Sequence, residues 1–174
     1  MPSRLVPAVL AALLLVPLLI GCEEESGLGV AEGRYRLQVA GAVTDTLAGT
    51  AVLRSPAPGQ TGLELGARGE PGLSIEFTHA APGAEEAAVA SGRRYGAVQA
   101  ALLDGPRPDS LSRLVAFLSL TDADFVATQG HFSVTHVGDG TVAGTVDLRM
   151  QERSPSTGAP RTVRVTGALR ATSP

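Results

Sequence analysis

The sequence predicts an all-β domain, an antiparallel β-sandwich or partly closed β-barrel of about nine short strands, following an N-terminal signal helix. Three observations predict it. From Gly33 onward, short segments alternate apolar and polar residues, the period of a half-buried strand. Clusters of Gly, Pro, Asp and Ser separate these segments at the spacing typical of all-β domains. Asp139-Gly140 stands between two alternating runs, a strong hairpin signal because both central residues of such a turn need positive φ.

The strands follow in order. Arg34 to Val39 alternates strictly, with Tyr35, Leu37 and Val39 on one face. Leu47 to Arg54 is the second strand. Thr61 to Arg68 and Leu73 to His79 flank the turn signal Gly69-Glu70-Pro71-Gly72, and in the latter Leu73, Ile75 and Phe77 share a face. Arg94 to Ala101 and Arg113 to Leu120 are the fifth and sixth. Leu111, Leu114, Val115 and Leu118 also fit a helical period, with Ser110 as a cap. The neighbouring strands favour reading Leu114 to Leu120 as a strand buried on both faces. Gly130 to Val137 and Thr141 to Gln151 form the hairpin around Asp139-Gly140, and Thr162 to Thr172 closes the domain. One segment, Pro82 to Ala90, carries helix formers for at most about two turns.

An internal echo runs through these strands. Leu47-Ala48-Gly49-Thr50-Ala51-Val52-Leu53-Arg54 resembles Val142-Ala143-Gly144-Thr145-Val146-Asp147-Leu148-Arg149, and Val165-Thr166-Gly167-Ala168-Leu169-Arg170 is a partial third copy. Glycine inside a strand marks a bulge or a close backbone approach. The echo reads as a strand with a glycine bend, used three times to curl a sheet. Its spacing is too irregular for a solenoid.

The N-terminus differs from the rest. Arg4 precedes an apolar run from Leu5 to Ile20, interrupted by Pro7 and Pro17 and shorter than the roughly 20 residues of a comfortable membrane span. A positive start, a short apolar stretch and a small residue before a cut describe a secretory signal. Leu19-Ile20-Gly21-Cys22 resembles the lipobox of bacterial lipoproteins. That resemblance implies that residues 1–21 are a cleaved signal peptide and that Cys22, the chain's only cysteine, becomes a lipidated first residue. Two or three acyl chains would hold the protein durably on a bilayer, where one chain anchors only marginally. Residues 22–32 read as an acidic tether containing Glu23-Glu24-Glu25, with a root-mean-square reach of roughly 18 Å as a random coil. The implied location is the cell envelope, with a lean to the outer membrane and the facing side open.

The strands of residues 33–172 resemble small all-β bacterial lipoproteins, through the run Phe125 to Thr135, the Asp139-Gly140 turn, and the Gly144-Thr145 and Thr166-Gly167 strands. In that group the last strand ends on an aromatic, where this chain has Leu169. The resemblance implies a fold and a location and no activity.

Composition narrows the function classes. The formal net charge is −3, against a generic basic nucleic-acid binder. Without Arg4 and the rest of the signal, 13 arginines face 17 carboxylates, a formal charge of −4. The absence of lysine and asparagine fits a GC-rich genome. A single cysteine excludes a disulfide framework and a multi-cysteine metal site. His131 and His136 are five apart, which on a regular strand turns them to opposite faces. Asp122 and Asp124, two apart, are weak candidates for an oxygen-ligand cation site, without further ligands nearby. No Gly-x-Ser-x-Gly elbow occurs, and the carboxylates are dispersed. Arg93-Arg94 reads as a solvated strand start.

The expectation is therefore a non-enzymatic envelope lipoprotein without a cofactor. It would be tethered to membrane through lipid on Cys22 and present its β-domain as a binding or structural module to another envelope protein. The alternative is a carrier of a small apolar ligand in a barrel cavity. The two differ in the interior, which would hold a cavity in a carrier.

Overall fold

A computed structural model describes residues 29–54, 61–67, 70–78, 89–97, 113–155 and 158–174. Leu19, Ile20, Gly21 and Cys22 lie outside the described residues, as do His79 and residues 82–88 of the expected short helix; Val89 and Ala90 are in neither helix nor strand.

The described chain is all-β. Nine strands run in sequence: β1 (Arg34–Gly41), β2 (Asp45–Arg54), β3 (Thr61–Leu65), β4 (Gly72–Thr78), β5 (Arg94–Ala97), β6 (Arg113–Leu120), β7 (Ala123–Gly138), β8 (Thr141–Glu152) and β9 (Thr162–Thr172). They form one sheet in the order β1-β2-β3-β4-β6-β5-β7-β8-β9, and β9 pairs with β1, so the sheet returns on itself as a ring. Pairing is antiparallel except where β5 lies parallel to β6 and Val52 of β2 meets Thr172 of β9. β6 and β7 pair directly near their turn, through Phe117 to Leu120, and then part to admit β5.

Alternation decides which side chains enter the ring. Tyr35, Leu37 and Val39 of β1 are buried, and Arg34, Arg36 and Gln38 between them are exposed. The same alternation buries Leu73, Ile75 and Phe77 of β4 and Val163, Val165, Leu169 and Ala171 of β9. Inside, the Phe77 ring meets Tyr95 edge-on at 4.9 Å between centroids and Phe132 at 5.6 Å. These three rings stand among Val, Leu and Ala side chains, which supply most of the core. Leu114, Val115 and Ala116 are buried on both faces of β6, whereas Phe117 is half-exposed and Ser119 exposed.

The glycine echo has a packing cause. Gly49, Gly144 and Gly167 all occupy inward positions, and each makes room for a neighbour. The Tyr35 ring lies against Gly49, where a Cβ would stand 3.2 Å from Cε1. A Cβ on Gly144 would stand 2.6 Å from Phe132 Cζ, and one on Gly167 would stand 3.0 Å from Leu37 Cδ2. A closing ring of strands brings inward side chains close together, and small residues opposite large ones let them interdigitate.

The Asp139-Gly140 turn has positive φ at both residues, 49° and 71°, as its hairpin signal predicts. β7 is longer than expected. It begins at Ala123, directly after a two-residue turn of Thr121-Asp122. The sequence expectation starts the strand only at Gly130, leaving the polar stretch Thr128-Gln129-Gly130 at its boundary. The strand crosses it by a register shift between Ala127 and Gln129, with a second shift between Val134 and His136.

Strand directions sort the connections between the two edges of the ring. The start of β1, the β7–β8 turn and the end of β9 share one edge with the N-terminal residues. There Val30 is buried, Thr141 donates a hydrogen bond to Glu32 at 3.3 Å, and Arg170 pairs with Glu32 at 3.7 Å. Chain assigned by sequence to the tether thus already rests on the ring at Val30. The opposite edge carries the β1–β2, β3–β4, β6–β7 and β8–β9 connections.

Candidate functional site

A groove of about 850 Å³ lies on the outer face of β2, β3, β4, β6 and β7. Its shape follows from two adjacent rows of outward positions. One row crosses the sheet through Val52, Glu64, Ser74, Phe117 and Val126, each the register partner of the next. The row beside it runs from Thr50 through Gly66 and Gly72 to Ser119, Asp124 and Arg153. Gly66 and Gly72 bring bare backbone to the surface at adjacent positions, so the second row is sunken. Backbone geometry requires both: Gly66 has φ of 109°, and a Cβ on Gly72 would run into the Leu65 carbonyl oxygen.

Charges in the groove are largely matched. Arg54 forms an ion pair with Glu64 from the next strand. Ser119 Oγ donates to Asp124 Oδ1 at 2.7 Å, and the Arg153 amide donates to the Asp124 carbonyl at 2.8 Å. The Arg153 guanidinium sits 5.9 Å from the centroid of the Phe117 ring, within cation–π range. Beneath the floor, burial and the negative charge of Glu70 push the Tyr35 phenol above its ordinary pKa.

A second polar cluster stands at the edge away from the N-terminus. Arg161 joins three elements. Its Nη1 donates to Asp122 Oδ2 at 3.0 Å, and its Nε and Nη2 grip the two Glu152 oxygens at 3.0 Å each. Its backbone amide also donates to Glu152, at 3.1 Å, and its guanidinium lies 5.8 Å from the Phe125 ring centroid. These hydrogen bonds hold the Glu152 carboxyl below its ordinary pKa and push the Arg161 guanidinium up. On the outer face of β8, Arg164 forks onto Asp147 at 2.8 and 2.7 Å. That bond lowers the Asp147 pKa, and His131, its register partner, adds to the effect.

The two aspartates weighed as cation ligands are thus engaged differently. Asp122 sits in the turn against Arg161, and Asp124 sits in β7, bonded to Ser119 and lining the groove. Among the described residues no three His, Cys, Asp or Glu side chains gather as a metal site would require. His131 and His136 do not face opposite ways. The shift between Val134 and His136 adds a residue, so both end on the outer face, opposite Asp147 and Ala143. Four ladder positions, about 13 Å, still separate them.

Sequence reasoning did not find the groove. Phe117 was read as part of a strand buried on both faces, and Gly72 as turn punctuation. The run Leu114 to Leu118 is apolar throughout and gives Phe117 no phase, and Val115 on the same face is buried. The alignment of Gly66, Gly72, Ser119 and Asp124 depends on cross-strand register, which one sequence does not carry.

No protein-family model, no curated protein and no solved structure matches the chain.

Proposed function

We propose that this protein is a lipid-anchored envelope module, held on a membrane through Cys22 and using the outer-face groove of its β-domain as a binding surface. The observation that carries the reading is the arrangement of the two edges. The N-terminal chain leaves the ring beside the β7–β8 turn, and Glu70, Ser119, Asp124 and Arg153 crowd the groove toward the opposite edge. Eight peptide units join Cys22 to Val30, a span of at most about 29 Å. Acyl chains on Cys22 would therefore keep the N-terminal edge near the bilayer and turn the groove toward the envelope space. The leaning to the outer membrane rests on the acidic residues after Cys22 and on the lipobox resemblance.

The reading is non-enzymatic: the Ser119–Asp124 pair in the groove has no histidine beside it among the groove's described lining residues. The alternative, a carrier of a small apolar ligand, is disfavoured by the three rings of Phe77, Tyr95 and Phe132 that meet inside the ring. Native mass spectrometry of the protein released gently from membranes separates the two. A module predicts the mass of the acylated chain alone. A stoichiometric non-covalent lipid that survives delipidation would identify a carrier.

A further inference from the structure

We propose that the groove binds a neutral oligosaccharide. This deepens the binding-module reading and rests on it only for the use of the groove.

The first argument is charge. Arg54 is neutralised by Glu64 across the β2–β3 ladder, while Arg153 shares the groove with Asp124 and Glu70. A ligand carrying a strong charge of either sign would share the groove with groups of its own sign, which disfavours it. A neutral ligand meets no such conflict.

The second argument is hydrogen-bonding chemistry. Thr50 and Ser74 each offer a hydroxyl that both donates and accepts, and Ser119, whose proton goes to Asp124, offers an acceptor. Asp124 engages one carboxylate oxygen with Ser119, leaving Oδ2 open to a ligand donor. Arg153 faces Phe117, and among the described residues no carboxylate pairs with its guanidinium. Its planar donors and the carboxylate match neighbouring hydroxyls on a sugar ring, which donate to one and accept from the other.

The third argument is shape. Bare backbone at Gly66 and Gly72 lets a ligand lie close to the sheet, and half-exposed Val52 and Phe117 present apolar surface beside it. A sugar ring is hydroxylated at its rim and presents C–H faces, so it uses both kinds of surface at once. An extended peptide is less well served. Its usual mode on a sheet is to add a strand at a free edge, and here every described strand has a neighbour on both sides.

The test uses the full mature protein in a sugar-free detergent, titrated calorimetrically with chitotetraose and, separately, with maltotetraose. Saturable binding of at least one is expected, weakened at least tenfold by Arg153→Ala and by Asp124→Asn and unchanged by Arg93→Ala near the opposite edge. Circular dichroism of each variant checks that the fold is kept, and Asp124→Asn preserves side-chain size should Arg153→Ala fail to fold. No saturable binding of either sugar at millimolar concentration would overturn the proposal. So would binding that both groove variants leave intact. Acylation of Cys22 is measured independently, so either outcome leaves the anchor reading to stand or fall on its own.

Discussion

Gly144 shows how tightly the ring closes. Its missing side chain is where the edge of Phe132 packs, and an added methyl would also press on the Ser133 carbonyl. Gly144→Ala is expected to cost about 1–3 kcal/mol, the usual range for overpacking a well-packed core. Gly96 in β5 has open space around its Cβ position and no positive φ. Gly96→Ala is expected to stay within about 0.5 kcal/mol of the parent. Urea unfolding of the two variants measures the contrast, and equal effects would mean that Gly144 is not under Phe132. The echo of Gly49, Gly144 and Gly167 was legible in sequence as three glycine bends. The partners Tyr35, Phe132 and Leu37 were not, because they come from other strands or from other positions along the ladder.

Connections hold the elements in register, and two can be tested. Asp139 is the only described non-glycine residue with positive φ, 49°. Asp139→Val places a β-branched side chain there, and a loss of roughly 1–2 kcal/mol is expected in thermal unfolding. Asp139→Gly should be tolerated. Arg161 ties the β6–β7 turn to β8 through Asp122 and Glu152. Glu152 has its pKa lowered in the folded protein, so its contribution is present above the ordinary value of 4.5 and is lost as pH falls through the lowered one. Arg161→Gln should therefore lower the melting temperature at neutral pH and narrow its difference from the parent under acid. A gap that stays constant with pH would show that the clamp does not act through the carboxylate. The strand limits of β6 and β9 match those expected from sequence, Arg113 to Leu120 and Thr162 to Thr172. The strand expected for β7 starts only at Gly130 because the bulge at Thr128 breaks the alternation before it, and periodicity carries no signal across a bulge.

At the scale of the whole molecule, the ring separates the edge where the N-terminal chain enters from the groove on its outer face. The all-β class and nine strands follow from alternation and turn chemistry alone. Closure does not, since it depends on the β1–β9 pairing of the first and last strands, and the groove follows from that closed register. In the proposed arrangement the chain is fixed to a membrane through Cys22, with the groove facing away. Metabolic labelling with a palmitate analogue in a bacterial host measures this most directly, comparing the parent with Cys22→Ala. A labelled parent that partitions with membranes is expected, with an unlabelled variant that runs as the larger precursor. A Cys22→Ala protein that still takes up label, or a parent that takes up none, would contradict it.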